Sequence, residues 1–182
     1  RLAYGWNNED WSACGDYLHA CLQRTLDTRG PILECGSGLS TLLLGMIAQR
    51  IGGFVWSLEH HGQWAERVAG EIERFGIRSV RLCVSPLKDY GEYTWYDPPL
   101  ATMPDGFAGV VCDGPPGETK GGRYGMMPVM RSRLKPGAWV LLDDADRENE
   151  RAIAARWANE SGASCEIHRA DRPYVALTMP AA

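Results

Sequence analysis

Ile32-Leu33-Glu34-Cys35-Gly36-Ser37-Gly38-Leu39-Ser40-Thr41 is the stretch on which the reading of the chain turns. Its first four residues follow the Gly30-Pro31 break and read as a short strand. Leu39–Ile51 reads as a helix. Gly36-Ser37-Gly38 is the turn between them. Glycine lets a backbone turn tightly and approach a ligand closely. The helix that follows begins with unpaired N–H groups. A lone G-x-G is common. Here it lies between a strand and a helix, and an acid, Glu34, stands two positions before the first glycine.

The same alternation runs outward from the turn. Upstream, residues 10–28 carry Trp11, Cys14, Leu18, Cys21, Leu22 and Leu26 at helical spacing. Downstream, residues 54–58 are a strand, 64–75 a helix and 80–84 a strand. Residues 85–106, rich in Tyr, Trp and Pro, form a long connection. Residues 107–112 are the next strand, 126–134 a helix and 138–142 a strand after a turn at Pro136-Gly137. A helix over 147–160 follows. Two closing strands, about 163–168 and 173–178, are joined by Ala170-Asp171-Arg172, which suits an antiparallel hairpin. This order predicts an α/β fold: a Rossmann-like, doubly wound, seven-stranded and mostly parallel sheet, with a C-terminal antiparallel hairpin and helices on both faces. One domain spans 1–182, with an N-terminal helical segment over about 1–29.

Composition narrows the function. A net charge of −4 without a run of Lys or Arg disfavours a nucleic-acid partner. No apolar stretch reaches the length of a membrane span. The six cysteines form no C-x-x-C pair and fit no zinc spacing. They read as free thiols, four of them in apolar strands. With no leader pattern at the N-terminus, this predicts a cytoplasmic protein.

In an alternating sheet, ligands bind outside the carboxyl ends of the strands. After the first strand comes Glu34, then Gly36, Ser37 and Gly38, with Ser40 and Thr41 at the helix start. A dinucleotide fingerprint would put a third glycine where Thr41 stands, and Glu34 would repel a pyrophosphate. An ammonium or sulfonium is welcome beside that acid; S-adenosylmethionine carries both and no phosphate. After the second strand comes Glu59, suited to ribose hydroxyls, then His60 and His61. Ser85-Pro86 follows the third strand and is the candidate adenine edge. Asp113 ends the fourth strand, and Asp143-Asp144 the fifth. Asp144 or Asp146 could instead cap the helix that begins near Arg147.

At these positions the chain resembles the class I S-adenosylmethionine-dependent methyltransferases. The carriers are Ile32 to Gly38, Ser57-Leu58-Glu59-His60, Val110 to Gly117, and Leu134 to Asp144. The resemblance implies that Glu34 holds the methionine end of the cofactor, that Gly36 and Gly38 allow close approach, and that Glu59 binds the ribose. Within the class, the strand-end acids are similar to those of small metal-dependent O-methyltransferases. The catechol type has an Asp after strand four and Asp-Asn after strand five, and some macrolide-sugar enzymes have Asp-Asp there. The likeness implies Asp113, Asp143 and Asp144 as ligands of a hard cation, Mg2+. The chain departs from the catechol type at Pro115-Pro116.

The expected reaction is an in-line methyl displacement onto a small-molecule acceptor, with O-methylation favoured. A metal, or Asp113, Asp144 or His61 as general base, would prepare the acceptor. Tyr4 to Asn8 and the aromatic segment 90–105 are candidate acceptor covers, and Arg123-Tyr124 and Arg147 candidate polar contacts. A homodimer is left open. The alternatives are a nicotinamide-dependent oxidoreductase and a non-catalytic S-adenosylmethionine-binding protein.

Overall fold

The computed structural model describes residues 15–181. The elements are α1 (Gly15–Asp27), β1 (Pro31–Cys35), α2 (Leu39–Ile51), β2 (Phe54–Glu59), α3 (Gly62–Arg74), β3 (Val80–Val84), β4 (Leu87–Asp89), β5 (Thr94–Tyr96), β6 (Phe107–Cys112), α4 (Met126–Met130), β7 (Leu134–Leu142), α5 (Glu148–Ser161), β8 (Ser164–His168) and β9 (Tyr174–Thr178). Seven strands form one sheet in the order β3-β2-β1-β6-β7-β9-β8. β3, β2, β1, β6 and β7 run parallel, and β9 pairs antiparallel with both β7 and β8. This is the expected architecture, with its closing hairpin.

Alternation along each strand divides the core. Leu33, Cys35, Trp56, Leu58, Val110 and Cys112 face one side and pack with β5, α4 and α5. Ile32, Val55, Val111 and Leu141 face the other, against Tyr17 and Cys21 of α1 and Leu44 and Ala48 of α2. Each fully buried Leu or Ile of this kind contributes roughly 1.5–3 kcal/mol. The Tyr17 hydroxyl also donates to the Leu141 carbonyl, 3.2 Å away, which ties α1 to the carboxyl end of β7. Helix α2 ends at Gly52, in the left-handed conformation glycine favours.

Two stretches differ from the sequence expectation. The 85–106 connection contains a β4–β5 hairpin, closed by the Tyr90 N–H donating to the Tyr93 carbonyl at 2.8 Å. β7 begins at Leu134, four residues early; it runs through Pro136-Gly137, and its register against β6 shifts between Phe107 and Gly109. The proline lacks a ladder donor, so the pairing breaks there without ending the strand. Among the described residues no helix is long and apolar enough to cross a membrane.

Candidate functional site

The chain runs outward from β1 to β2 and β3, then returns to β6 on the other side of β1. The carboxyl ends of β1 and β6 therefore flank the switch in strand order, where such sheets bind ligands. Here the two backbones touch. The Asp113 and Gly114 N–H groups both donate to the Cys35 carbonyl, at 3.0 and 2.7 Å. Gly36 has φ 89°, and a Cβ on it would lie 2.9 Å from the Gly114 nitrogen. A Cβ on Gly114 would meet Gly36 Cα at 2.9 Å and the Tyr96 hydroxyl. Both positions thus require glycine. Gly38 does not: its backbone is extended, and a Cβ would meet none of the described residues, so the missing side chain leaves open space among them at the start of α2.

Two carboxylates brace this turn. Glu34 is fully buried and accepts from Ser40 Oγ, Thr41 Oγ1 and Ser57 Oγ, each at 2.6 Å. Ser57 is its register partner on β2. Thr41 Oγ1 in turn accepts from the Gly38 N–H at 2.9 Å. Burial raises the Glu34 carboxyl to about 7, against the pull of the three hydroxyls. Glu59 takes the other side. Its carboxylate accepts from the Ser37 N–H and hydroxyl, at 3.1 and 2.9 Å, and from the His61 N–H at 2.8 Å. The His60 Nδ1 lies 3.2 Å away. Burial works against charge on Glu59, but these partners outweigh it and hold the carboxyl below its usual range. The Trp64 indole donates to the Ser37 carbonyl at 2.7 Å and completes the clamp.

Across the cleft, the other acids gather around one arginine. Arg123, 3% exposed, directs Nη2 to Asp113 Oδ1 at 3.1 Å and to Asp144 Oδ2 at 2.7 Å. Its Nη1 donates to the Asp143 carbonyl at 3.0 Å. Arg147 Nη1 is also 3.0 Å from Asp144 Oδ2. Asp144 sits at φ 61°, a left-handed conformation that acidic residues tolerate better than most. Burial, together with the charge of Asp113, raises the Asp143 carboxyl to about 7.

These contacts correct the metal expectation. The place between Asp113 and Asp144 belongs to a guanidinium, and among the described residues no group of three His, Cys, Asp or Glu side chains is arranged to hold a metal ion. The donor set does not fit Mg2+. The capping alternative also differs from what is observed: the N-cap of α5 is Arg147, which makes no side-chain cap bond, and Asp144 pairs with arginines.

A cavity of about 1230 Å³ opens between the two halves. Of the expected residues, Gly36, Ser37, Gly38, Ser40, Glu59, His60, Asp113, Asp143 and Asp144 line it. Glu34, Thr41, Ser85 and Pro86 are not part of its wall. Glu34 and Thr41 stand behind the turn they brace. Ser85 is buried, its N–H donating to the Glu59 carbonyl at 2.7 Å. His61 both lines the cavity and caps α3, accepting from the Trp64 N–H.

Of the aromatics in the long connection, only Tyr96 reaches the cavity; Trp95 is buried in the core, and Tyr93 packs edge-on against Tyr124. The Tyr96 hydroxyl is buried beside Gly114, without a partner among the described residues. Tyr4 to Asn8 lie outside the described residues. The sequence reading missed Trp64, Glu150 and Arg172, which also line the cavity. Trp64 and Glu150 lie on helices whose cavity-facing side only the tertiary structure defines.

No family model matches the chain, and no curated protein resembles it closely enough to count as a match. Solved structures do resemble it. A candidate caffeoyl-CoA O-methyltransferase from Staphylococcus aureus superposes with a TM-score of 0.75 at 11% identity, over 97% of this chain and 89% of that one. The C-terminal domain of precorrin-6Y C5,15-methyltransferase from Rhodobacter capsulatus gives 0.67 at 14%, over 98% and 96%. An O-methyltransferase from Bacillus cereus, in complex with SAH (S-adenosylhomocysteine), gives 0.66 at 15%, over 98% and 86%. At these identities the likeness establishes the fold.

Proposed function

We propose that this chain is an S-adenosylmethionine-dependent methyltransferase acting on a small-molecule acceptor, with a hydroxyl as the methylated group. One observation carries the reading. The Gly36-Ser37-Gly38 turn lies at the switch point, braced by Glu34 and edged by Glu59, with no side chain of the described residues in the space beside Gly38. The fold it sits in is shared with methyltransferases of several chemistries, which supports the cofactor more than the acceptor. The cavity exceeds the usual volume of a single-ligand pocket, leaving room for a second molecule.

When bound, S-adenosylmethionine supplies an electrophilic methyl group. The chain's own residues do the rest. Gly36 and Gly38 would admit the ligand against the backbone, and Glu59 would offer its carboxylate to the ribose hydroxyls in place of its Ser37 contacts. Glu34 acts through Ser40 and Thr41 by fixing the turn. Ser85 supports Glu59 from behind, and Pro86 continues that backbone. Asp113, with 30% of its side chain exposed and one arginine contact, takes the acceptor's proton. Burial raises its carboxyl, which favours that role. Asp144 is a positioning residue acting through Arg123. We take 1–182 as one domain. The buried thiols Cys21, Cys35 and Cys112 suit the cytoplasm.

The test is transfer of a labelled methyl group from S-adenosylmethionine into cell-extract metabolites, followed by mass spectrometry. A product heavier by one methyl on oxygen is expected. Retained cofactor binding with no transfer to any acceptor would make the chain a binding protein instead.

A further inference from the structure

We propose that Arg123 is the resident cation of this site: its guanidinium takes the place among Asp113, Asp143 and Asp144 that the resemblance gives to a divalent metal, and it serves a hydroxyl acceptor in the metal's stead. The role toward an acceptor rests on the methyltransferase reading. The exclusion of the metal does not.

The geometry is that of a coordinated ion. One nitrogen, Nη2, bridges carboxylates from the ends of two neighbouring strands, at 3.1 and 2.7 Å, and Nη1 takes the Asp143 carbonyl at 3.0 Å. A planar guanidinium meets such a set with separate directed donors, whereas a metal must gather the oxygens to itself. The group is almost wholly buried, so the acids beside it are neutralised in place. Arg147 at 3.0 Å and Arg172 at 3.9 Å from Asp144 add further positive charge where an incoming cation would sit. A divalent ion would have to displace Arg123 and remain beside the other two. Arg123 lines the cavity, and its buried Nε–H has no partner among the described residues. That is a donor still available to an acceptor oxygen. A permanently charged donor there stabilises the negative charge that develops as a hydroxyl loses its proton to Asp113.

The test uses Mn2+ as a spin probe, titrated with the wild-type protein in the presence and absence of S-adenosylhomocysteine. Calorimetry with the same homocysteine ligand on the same preparation reports the cofactor reading separately. Wild type is expected to leave Mn2+ free at millimolar concentration. Arg123→Gln, which frees the carboxylates, is expected to gain Mn2+ affinity at least tenfold, and Asp144→Asn in that background to lose it again. Micromolar Mn2+ binding by wild type, removed by Asp144→Asn, would overturn the proposal, and that arm stands even if Arg123→Gln fails to fold. A folded Arg123→Gln that gains no Mn2+ affinity would overturn it as well.

Discussion

The two walls of the cleft solve the same problem in opposite ways. Each buries carboxylates at the ends of parallel strands. On the β1–β2 side, neutral donors hold them: three hydroxyls on Glu34, and the Ser37 and His61 groups on Glu59. On the β6–β7 side, an arginine holds them. The first wall keeps negative character for a ligand that brings positive charge. The second is already neutralised and suits a ligand that develops negative charge. Under the proposed methyltransferase reading the difference assigns cofactor and acceptor to opposite sides of one cavity, and it explains why three aspartates at strand ends need not make a metal site.

The largest break in this comparison comes from removing the guanidinium. Arg123→Met leaves Asp113 and Asp144 without their central partner, and breaking a buried pair in this way costs about 3–5 kcal/mol. Urea denaturation should show a loss of that size, whereas Ser40→Ala on the opposite wall should cost only about 1 kcal/mol. Equal losses would mean that the two walls are not held differently.

A pH series sharpens the contrast. The Glu34 carboxyl is raised from its ordinary 4.5 to about 7 in the folded chain. The stability it contributes is full below about pH 4 and is lost as pH rises through 7. Wild type should therefore lose up to about 3 kcal/mol more than Glu34→Gln between pH 5 and pH 8. Asp143, raised in the same direction, leaves a residual slope in both proteins. Parallel curves would remove the assignment to Glu34.

The smallest of these effects lies at the seam. Gly36→Ala forces a Cβ to 2.9 Å from the Gly114 nitrogen at φ 89°. A cost of roughly 1–3 kcal/mol follows, together with weakened homocysteine-ligand binding. Gly38→Ala, with open space around its Cβ, should leave stability within about 1 kcal/mol of wild type and act on binding alone.

Much of this was legible in the residues. Leu39–Ile51, Val80–Val84 and Phe107–Cys112 fall at their expected bounds because each is a full-length element with clear boundaries. The strand-end acids were legible too, since strand order alone brings them to one edge. What each acid pairs with was not. Glu34 meets Ser57 through register, and Arg123 meets Asp144 across 21 positions; neither distance is encoded in local pattern. The β4–β5 hairpin escaped for a different reason. Its strands have three residues each, too few to display a period of two.

The central claim is that the glycine turn holds an adenosyl sulfonium cofactor and not a dinucleotide. Calorimetric titration of wild type with S-adenosylhomocysteine and with NADH, repeated on Glu59→Gln, tests it most directly. The account predicts one-to-one binding of the homocysteine ligand, at least tenfold weaker in Glu59→Gln, and no heat from NADH. Tight NADH binding with no response to S-adenosylhomocysteine would contradict it.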